Sequence, residues 1–247
     1  MKQIVVPEGL GTLLTRVSIE CHKRFMNNSK QDITAIYRPV LLPSGKTIYQ
    51  SPNGQSVTSD TAFIVETVLQ EFPLQEARVL ELGSGNGIIS LMLKQAPKNW
   101  QITGLELQPQ LTWLSQKNAE LLGFDLNFIN GDLKNFLANN KFDMIVSNPP
   151  YFPVKDGRIS PVEERAISRH EIKCDMLDVL KSVKRNLKLT GAAFLIYPQT
   201  RWKDLEFFVK KVDLKIESKF ISKADMKLIF VAKIVYDQDS IRNLKTD

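Results

Sequence analysis

The chain has 247 residues, of which 43% are apolar and 24% are charged. These proportions are typical of a packed globular protein and exclude a disordered chain, and the length suits one large α/β domain with a small appendage. The net charge of +6 is uneven, because residues 1–50 carry +4, residues 51–180 carry −5 and residues 181–247 carry +7. Basic ends around an acidic middle suit a polyanionic substrate, and they equally suit an ordinary lysine-rich surface.

The two cysteines, Cys21 and Cys174, lie far apart in the sequence. This argues against a disulfide framework and predicts a reducing, cytoplasmic location. No apolar run in the sequence reaches the roughly 20 residues that span a bilayer, and the first residues lack the features of a signal peptide. The only histidines are His22 and His170. Because no cysteine or histidine spacing resembles a zinc site, we expect no metal.

The first part of the chain is predicted to contain two helices and a hairpin. Apolar residues recur at helical spacing over residues 10–26. Residues 35–50 are predicted to form two short strands around a Pro-Ser-Gly turn. A second helix is predicted over residues 61–71. We therefore divide the chain into an N-terminal helix and β-hairpin extension, residues 1–60, and a main domain, residues 61–240.

From residue 78 onward, short apolar strands alternate with helices. Repeated βαβ units imply a mostly parallel sheet with helices on both faces, and ligands bind at the carboxyl ends of such strands. We predict a doubly wound α/β fold with a seven-stranded sheet, an antiparallel last strand and a small N-terminal element. The predicted strands are residues 79–82, 102–107, 126–129, 142–146, 192–197, 215–220 and 228–236. The predicted helices are residues 88–93, 109–122, 175–189 and 201–211, and the third of them is expected to stop near Gly191.

A glycine-rich turn, Glu81-Leu82-Gly83-Ser84-Gly85-Asn86-Gly87, includes the end of the first of these strands. Glycines let the backbone turn sharply and let a ligand approach the main chain. Glu106 lies 19 residues after Gly87, at the end of the second strand, where a carboxylate can accept hydrogen bonds from both ribose hydroxyls. The layout favours a nucleoside cofactor, either a dinucleotide or S-adenosylmethionine (SAM). The alternative is a turn needed only for packing, with Glu106 and Asp132 as helix caps.

The glycine spacing here is G-x-G-x-G, whereas the dinucleotide fingerprint is G-x-G-x-x-G and leaves a helix N-terminus free for a pyrophosphate. The stretch resembles motif I of the class I SAM-dependent methyltransferases, which have a Rossmann-like fold. The resemblance implies that the loop holds the methionine part of SAM, that Glu106 binds the ribose and that Asp132 reads the adenine amine. The cofactor-binding residues implied are Glu81, Gly83, Ser84, Gly85, Asn86, Gly87, Glu106, Leu107, Asp132 and Asn148.

The sequence Asn148-Pro149-Pro150-Tyr151 directly follows the fourth predicted strand. Two prolines fix φ and remove two N–H donors, and the residue before each proline is held extended. The result is a stiff ledge whose carbonyls face outward as acceptors. The Asn148 side-chain oxygen and the Pro149 carbonyl can hold both hydrogens of an exocyclic amine, and the Tyr151 ring can stack on a base. The alternative is a structural turn that happens to have this sequence.

An exocyclic amine is a poor nucleophile, because its lone pair is delocalised into the base. Accepting both of its hydrogens favours a pyramidal nitrogen and frees the lone pair, which stabilises the transition state. Methyl transfer is then a single in-line displacement governed by positioning, with no metal and no covalent intermediate. The catalytic residues predicted on this basis are Asn148, Pro149, Pro150 and Tyr151.

In this place the Asn-Pro-Pro-Tyr sequence resembles motif IV of amino methyltransferases that act on adenine N6, cytosine N4, guanine N2 or a glutamine amide. Residues 48–54 and the stretch Ala166-Ile167-Ser168-Arg169-His170-Glu171 are similar to the bacterial valine-tRNA adenine-N6 methyltransferase family. The resemblance covers roughly residues 45–236. Members of that family methylate the purine just 3′ of the anticodon. The resemblance therefore implies RNA, in particular tRNA, as the partner.

Other functions fit the same motifs. A release-factor glutamine methyltransferase shares Asn-Pro-Pro-Tyr, but typically continues with a Glu-Pro…Ala-Leu segment, whereas Val154-Lys155-Asp156-Gly157 stands here. A ribosomal-RNA guanine-N2 methyltransferase is a further alternative. A non-catalytic RNA-binding subunit with a degenerate methyltransferase fold is the alternative from another class, and the intact motifs argue against it.

Three residues after the ledge, Arg165, Arg169 and His170, are candidates for binding the substrate. They could contact phosphate or position a flipped base, since an enzyme must take a base out of its stack to reach its amine. Alternatively, Arg169 pairs with a neighbouring glutamate and His170 is a satisfied buried histidine. A phosphate-binding helix face and a solvated face are both compatible with the basic cluster Lys181, Lys184, Arg185 and Lys188.

Overall fold

The computed structural model describes residues 33–52, 59–151, 173–224 and 227–237. The chain divides into two compact units, residues 1–37 and residues 38–247. The described part of the first unit is a short helix, α1 (Ile33–Ile36), and the residue after it. The helix predicted over residues 10–26 lies outside the described residues, and the predicted domain boundary at residue 60 stays a prediction.

The second unit begins with a hairpin of two antiparallel strands, β1 (Arg38–Leu41) and β2 (Thr47–Gln50). The turn between them is closed by a hydrogen bond of 2.9 Å from the Gly45 N–H to the Leu42 carbonyl. Gly45 has a φ of +78°, which glycine adopts without a steric penalty. The predicted pair of strands and its turn are confirmed.

Among the described residues, a seven-stranded sheet forms the centre of the second unit. Its strands are β3 (Glu76–Leu82), β4 (Asn99–Glu106), β5 (Asn127–Asn130), β6 (Phe142–Ser147), β7 (Leu187–Pro198), β8 (Leu214–Ala224) and β9 (Lys227–Tyr236). They lie in the order β5-β4-β3-β6-β7-β9-β8. The first five in this order are parallel, and β9 is antiparallel to both of its neighbours. The predicted doubly wound fold with an antiparallel last strand is confirmed.

Five described helices accompany the sheet: α2 (Ser59–Glu71), α3 (Ile88–Lys94), α4 (Pro109–Leu122), α5 (Met176–Asn186) and α6 (Trp202–Lys211). Helix α4 has the predicted bounds, because Pro109 suits its first turn and Gly123 ends it with a φ of +68°. Helix α5 begins with a capping box, in which the side chains of Asp175 and Asp178 each accept the other's backbone N–H.

The helix predicted over residues 175–189 is wrong at its end. Helix α5 stops at Asn186, and β7 begins at the next residue. Gly191 therefore belongs to the strand and does not mark the end of the helix. A Cβ atom on Gly191 would lie 2.7 Å from the carbonyl oxygen of Asp143 on β6. Glycine is required here because the two strands approach closely, a reason that spacing in the sequence does not reveal.

Apolar side chains pack on both faces of the sheet. Along β3, Val79 belongs to one buried cluster and Leu80 to the other, because successive side chains of a strand point to opposite faces. Ile64 of α2 packs in the first cluster, and Val179 of α5 and Leu205 of α6 pack in the second. The sheet is thus covered on both sides. In the described part of the chain, no helix combines the length and apolarity that a membrane span requires.

Candidate active site

The carboxyl ends of β3, β4 and β6 meet where the strand order changes direction. Leu82 at the end of β3 pairs with Leu105 of β4 and with Ser147 of β6. Doubly wound sheets bind ligands at such switch points. An open cleft lies there, with an empty volume of about 1230 Å³ that includes its part open to solvent. The segments that follow all three strands contribute to its lining.

The glycine loop, residues 83–87, leads from β3 into α3. Gly83 and Gly85 have φ values of +71° and +55°, a region of backbone conformation that favours glycine. The Gly85 N–H donates a hydrogen bond of 2.8 Å to Oε2 of Glu106. A Cβ atom on either glycine would contact nothing within 4 Å. Open space therefore lies directly above this backbone, where a ligand can approach it.

Two buried polar atoms of the glycine loop, Oγ of Ser84 and Nδ2 of Asn86, have no hydrogen-bond partner within the described ranges. Both residues line the cleft. An unpaired buried polar group costs about 1–3 kcal/mol, so these atoms suit a polar ligand that would pair with them. Gly87 has a different role, because a Cβ there would lie 2.9 Å from the ring of Phe128. It permits close packing of the loop on β5.

Glu106 ends β4 and is buried, with 6% of its surface exposed. Besides the bond from Gly85, its Oε1 accepts a hydrogen bond of 2.9 Å from the Gln108 N–H. A carboxylate can accept several hydrogen bonds, so Glu106 is suited to accept hydroxyl donors from the cleft. The Glu106 side chain thus lines the site and also holds the glycine loop in place. The sequence predicted its place in the site but not its contact with the loop.

Glu81 is a buried carboxyl group in β3 that also lines the cleft. Its Oε2 accepts hydrogen bonds from the Ser90 hydroxyl and, at 3.0 Å, from the Ser90 N–H. Burial raises the pKa of Glu81 to about 8, although the Ser90 hydrogen bonds lower it, and the charge of Glu106 adds to the rise. At neutral pH Glu81 is therefore mostly a neutral acid, which can donate as well as accept a hydrogen bond.

Leu107, Gly131 and Asp132 line the cleft beyond the ends of β4 and β5. The Gly131 N–H donates to the Glu106 carbonyl at 2.9 Å, which holds Asp132 close to the end of β4. Asp132 Oδ1 accepts a hydrogen bond of 2.9 Å from the Lys134 N–H. Asp132 thus stabilises its own turn, which is not the start of a helix, while it lines the site. Its contact with an adenine amine stays a prediction.

The ledge, residues 148–151, follows β6. Its start is anchored by Ser147, whose Oγ donates to the Leu82 carbonyl at 2.7 Å. The three residues Asn148, Pro149 and Pro150 line the same cleft as the glycine loop and Glu106. The Tyr151 ring is instead partly buried against the apolar cluster under α5 and α6. The structure thus brings Asn148 and the prolines to the cleft, and the stacking role of Tyr151 stays a prediction.

Arg201 supports the site without lining the cleft, and sequence reasoning missed it. It was assigned to the helix predicted over residues 201–211, but it ends a 3₁₀ turn between β7 and α6. Arg201 is only 8% exposed, and its Nη1 donates a hydrogen bond of 2.6 Å to the Tyr151 carbonyl. Its Nε donates to Asp204 Oδ2 at 2.8 Å. The guanidinium therefore holds the end of the ledge close to the end of β7.

Asn118 on α4 joins the hairpin to the glycine loop. Its Nδ2 donates to the Tyr49 carbonyl at 2.8 Å and to the Asn86 carbonyl at 3.0 Å, and its Oδ1 accepts from the Tyr49 N–H at 2.8 Å. Gln50 and Ser51, which follow Tyr49, line the cleft. The hairpin that was predicted as an N-terminal extension thus contributes to the site. An asparagine on the apolar side of α4 was the available signal in the sequence.

The three candidate substrate residues, Arg165, Arg169 and His170, lie outside the described residues. Lys173 and Cys174 line the cleft, which the sequence did not predict. Within the described ranges no group of three or more His, Cys, Asp or Glu side chains could hold a metal ion.

The basic cluster on and after α5 is largely engaged within the protein. Lys184 pairs with Asp213, and Lys188 pairs with Asp143 at 2.8 Å. Arg185 donates to two main-chain carbonyls, those of Phe136 and Leu133. These intramolecular contacts argue against a phosphate-binding face, and Lys184 and Lys188 are paired on the surface and not simply solvated.

Comparison with known proteins matches part of this chain to a known family model. Residues 54–169, which include the glycine loop and the ledge, match the Methyltransferase small domain. A tRNA1(Val) (adenine(37)-N6)-methyltransferase of Porphyromonas gingivalis is 32% identical over 136 residues, which are 52% of this chain and 52% of that protein. A release factor glutamine methyltransferase of Deinococcus radiodurans is 36% identical over 107 residues, which are 43% of this chain and 38% of that protein. The chain thus spans about half or less of the length of these relatives.

The fold has counterparts among solved structures. Magnesium protoporphyrin IX methyltransferase of Synechocystis, solved with bound SAM, aligns with a TM-score of 0.52 at 16% identity, over 72% of this chain and 78% of that one. Further solved methyltransferases share the fold at similar scores. The predicted resemblance to class I methyltransferases is confirmed.

Proposed function

We propose that the protein is a SAM-dependent N-methyltransferase and that its substrate is an adenine N6 in tRNA. The observation that carries this proposal is the common cleft of the glycine loop, Glu106 and the ledge. A cofactor loop and an acceptor ledge for an amine on the walls of one cleft are what direct methyl transfer requires. The family match over residues 54–169 and the class I fold support the same chemistry.

The residues present fit SAM. Glu106 offers a buried carboxylate to a ribose. The Ser84 hydroxyl and the Asn86 amide, which have no hydrogen-bond partner among the described residues, offer polar partners to the amino-acid part. The open backbone at Gly83 and Gly85 leaves room for close approach. When bound, SAM would supply an electrophilic methyl group on a sulfonium. Glu81 adds a neutral carboxylic acid to the wall of the cleft, which avoids a further desolvated negative charge beside Glu106.

The ledge would hold the amine that is methylated. The side-chain oxygen of Asn148 and the carbonyl of Pro149 can accept its two N–H groups, which favours the pyramidal nitrogen of the transition state. Pro149 has no N–H, so its backbone nitrogen cannot donate a hydrogen bond to the acceptors that the substrate amine would use. The Ser147 and Arg201 hydrogen bonds hold the two ends of the ledge and lower the entropy that positioning would otherwise cost.

Two observations support tRNA as the substrate. The relative from Porphyromonas gingivalis, whose name gives adenine 37 of valine tRNA as its target, matches 52% of this chain. The segment Gln50–Ser51, which belongs to the stretch similar to the tRNA methyltransferase family, lines the cleft beside the cofactor loop. A release-factor glutamine amide is the second candidate, because the relative from Deinococcus radiodurans is 36% identical over its matched part.

The deciding experiment measures methyl transfer from radiolabelled SAM to three separate pools: unmodified tRNA, ribosomal RNA and release factor. Labelled RNA is digested to nucleosides to identify the modified base. Asn148→Ala is the test variant, and Asn140→Ala, an exposed asparagine outside the cleft, is its matched control. The proposal predicts N6-methyladenosine from tRNA, lost in Asn148→Ala and kept in Asn140→Ala.

Label in release factor alone would replace tRNA by the second candidate and leave the role of the ledge intact. Equal transfer by Asn148→Ala and the wild type would contradict the role of Asn148. Binding of SAM, measured by calorimetry, is expected to survive in Asn148→Ala, because the glycine loop and Glu106 remain.

A further inference from the structure

An apolar and basic surface lies at the carboxyl end of β8 and at the start of β9. Lys219, Ile221 and Lys223 alternate along β8 and so share one face of it. They pair across the strands with Ala232, Phe230 and Leu228 of β9, which places Leu228 on that same face. This face also carries the start of α6, because Trp202 packs edge to face on Phe230 at 5.1 Å. We call Trp202, Lys219, Ile221, Lys223 and Leu228 the Trp202 surface.

Lys219 is held in place by aromatic rings. Its Nζ lies 3.7 Å from the centroid of the Trp202 ring and 5.3 Å from that of Phe230. Such cation–π contacts orient the ammonium group but leave its charge available to an anion, since the ring carries no net charge. A side chain that is already ordered loses less entropy when a ligand binds to it.

Lys219 and Lys223 carry the positive charge of this surface. Neither Lys219 nor Lys223 forms an ion pair within the parts of the chain that the structure describes. The nearby carboxylate Glu217 is already paired with Lys233 at 2.6 Å. Ile221 and Leu228 are 58% and 52% exposed and lie on the same face of the two paired strands, so they form one apolar patch. The surface therefore combines unpaired positive charge with exposed apolar area.

The Trp202 surface and the candidate active site lie at the same edge of the sheet, with β7 and β9 between β6 and β8. Ser222 of β8 pairs with Ile229 of β9, which in turn pairs with Pro198 at the end of β7. The surface thus lies at the same edge of the sheet as the cleft. Arg201, the residue before Trp202, donates its hydrogen bond to the Tyr151 carbonyl of the ledge. A polymer whose reacting group lies at the ledge would reach this surface with its neighbouring units.

We propose that the Trp202 surface binds the sugar–phosphate backbone of the RNA next to the target base. Lys219 and Lys223 contact phosphates, and Ile221 and Leu228 contact the apolar faces of riboses or unstacked bases. This inference rests on the proposed function, because it takes RNA as the substrate. Unpaired lysines beside a site for a nucleic-acid base are the electrostatic arrangement that phosphate contacts require.

The test measures RNA binding directly, by fluorescence anisotropy of labelled, unmodified tRNA over a series of salt concentrations and without SAM. The test variant is the double substitution Lys219→Gln and Lys223→Gln in the full chain. The matched control is Lys210→Gln and Lys215→Gln, which removes the same charge from two exposed lysines at the opposite end of α6 and β8. Urea unfolding and SAM titration check that both variants keep the fold and the cofactor site.

The affinity of the test variant for tRNA is expected to fall roughly tenfold or more at low salt. The slope of log affinity against log salt is expected to become shallower by about 1.5, since each lost phosphate contact removes about 0.7–0.9. The control is expected to keep the wild-type slope. Equal slopes in the test variant and the control would overturn the inference.

Failure of this inference and failure of the proposed function give different results. If the wild type methylates tRNA but the test variant binds tRNA as the control does, the Trp202 surface is not the RNA contact. If the wild type binds tRNA through these lysines but transfers no methyl group to it, the surface assignment is supported and the proposed substrate base is wrong.

Discussion

The Nη1 atom of Arg201 lies 2.6 Å from the carbonyl oxygen of Tyr151, and this hydrogen bond joins the end of β7 to the end of the ledge. Arg201 is almost fully buried, whereas its acidic partner Asp204 is half exposed. A buried charge without hydrogen bonds is costly, so the guanidinium and the ledge stabilise each other. The position of the amine acceptors then depends on a residue 50 positions away in the sequence.

Replacement of Arg201 by alanine is expected to lower kcat by roughly 10–100-fold, which corresponds to about 1.4–2.7 kcal/mol of lost positioning. Affinity for SAM is expected to change little, because Arg201 does not line the cleft. Arg201→Lys, which keeps the charge and one donor, is expected to recover part of the activity. Steady-state kinetics and SAM titration check this. A loss of SAM affinity as large as the loss in kcat would point to general unfolding.

Glu106→Ala is expected to weaken SAM binding by more than tenfold, because two backbone N–H groups lose their acceptor and the ribose loses its partner. Glu106→Gln is expected to be nearly as harmful, since its NH₂ group would face a backbone N–H donor of Gly85 or Gln108. Calorimetric titration with SAM measures both variants, with Glu66→Ala on the exposed side of α2 as control. Unchanged affinity in both Glu106 variants would remove Glu106 from the cofactor site.

Asn118→Ala is expected to destabilise the protein by about 2–4 kcal/mol and to weaken SAM binding. The side chain is fully buried, and its loss leaves the Tyr49 N–H and the Tyr49 and Asn86 carbonyls without their partner. Urea unfolding gives the change in free energy, and SAM titration reports on the loop. Asn139→Ala, at an exposed loop position, is the matched control. If Asn118→Ala unfolds at the wild-type urea concentration, these three hydrogen bonds contribute nothing net.

The sheet and the main parts of the cleft were predictable because each has a local signal. Glycine spacing marked residues 83–87, strand periodicity placed Glu106 at a strand end, and consecutive prolines marked the ledge. The topology rule for parallel sheets then brought these segments to one edge. All three line the same cleft in the structure.

The residues that the sequence analysis missed share a different property. The role of each depends on a contact with a residue far away in the sequence. Arg201 and Asn118 each contact a carbonyl at least 32 residues away, and no local pattern identifies the partner. Gly191 was misread for the same reason, since its requirement comes from Asp143 on the neighbouring strand. Local sequence patterns predict elements and turns, whereas such tertiary contacts appear only when the strand register is known.

The buried acid Glu81 predicts a dependence of stability on pH. Its pKa is about 8 in the folded protein, against an ordinary value of 4.5, chiefly because burial penalises the carboxylate. Between these two values the unfolded chain releases the proton that the folded protein retains. The contribution of Glu81 to the free energy of unfolding is therefore expected to be largest below about pH 4.5. It is expected to fall as the pH rises toward about 8 and then to level off.

Glu81→Gln resembles the protonated acid in shape and keeps an acceptor for the Ser90 N–H, so it is expected to remove this dependence. Urea unfolding without SAM at about pH 5 and about pH 8.5 measures it. The wild type is expected to lose on the order of a few kcal/mol more than Glu81→Gln between the two conditions, while the exposed variant Glu66→Gln follows the wild type. Parallel losses in all three proteins would show that Glu81 ionises in the folded state as it does in the unfolded chain.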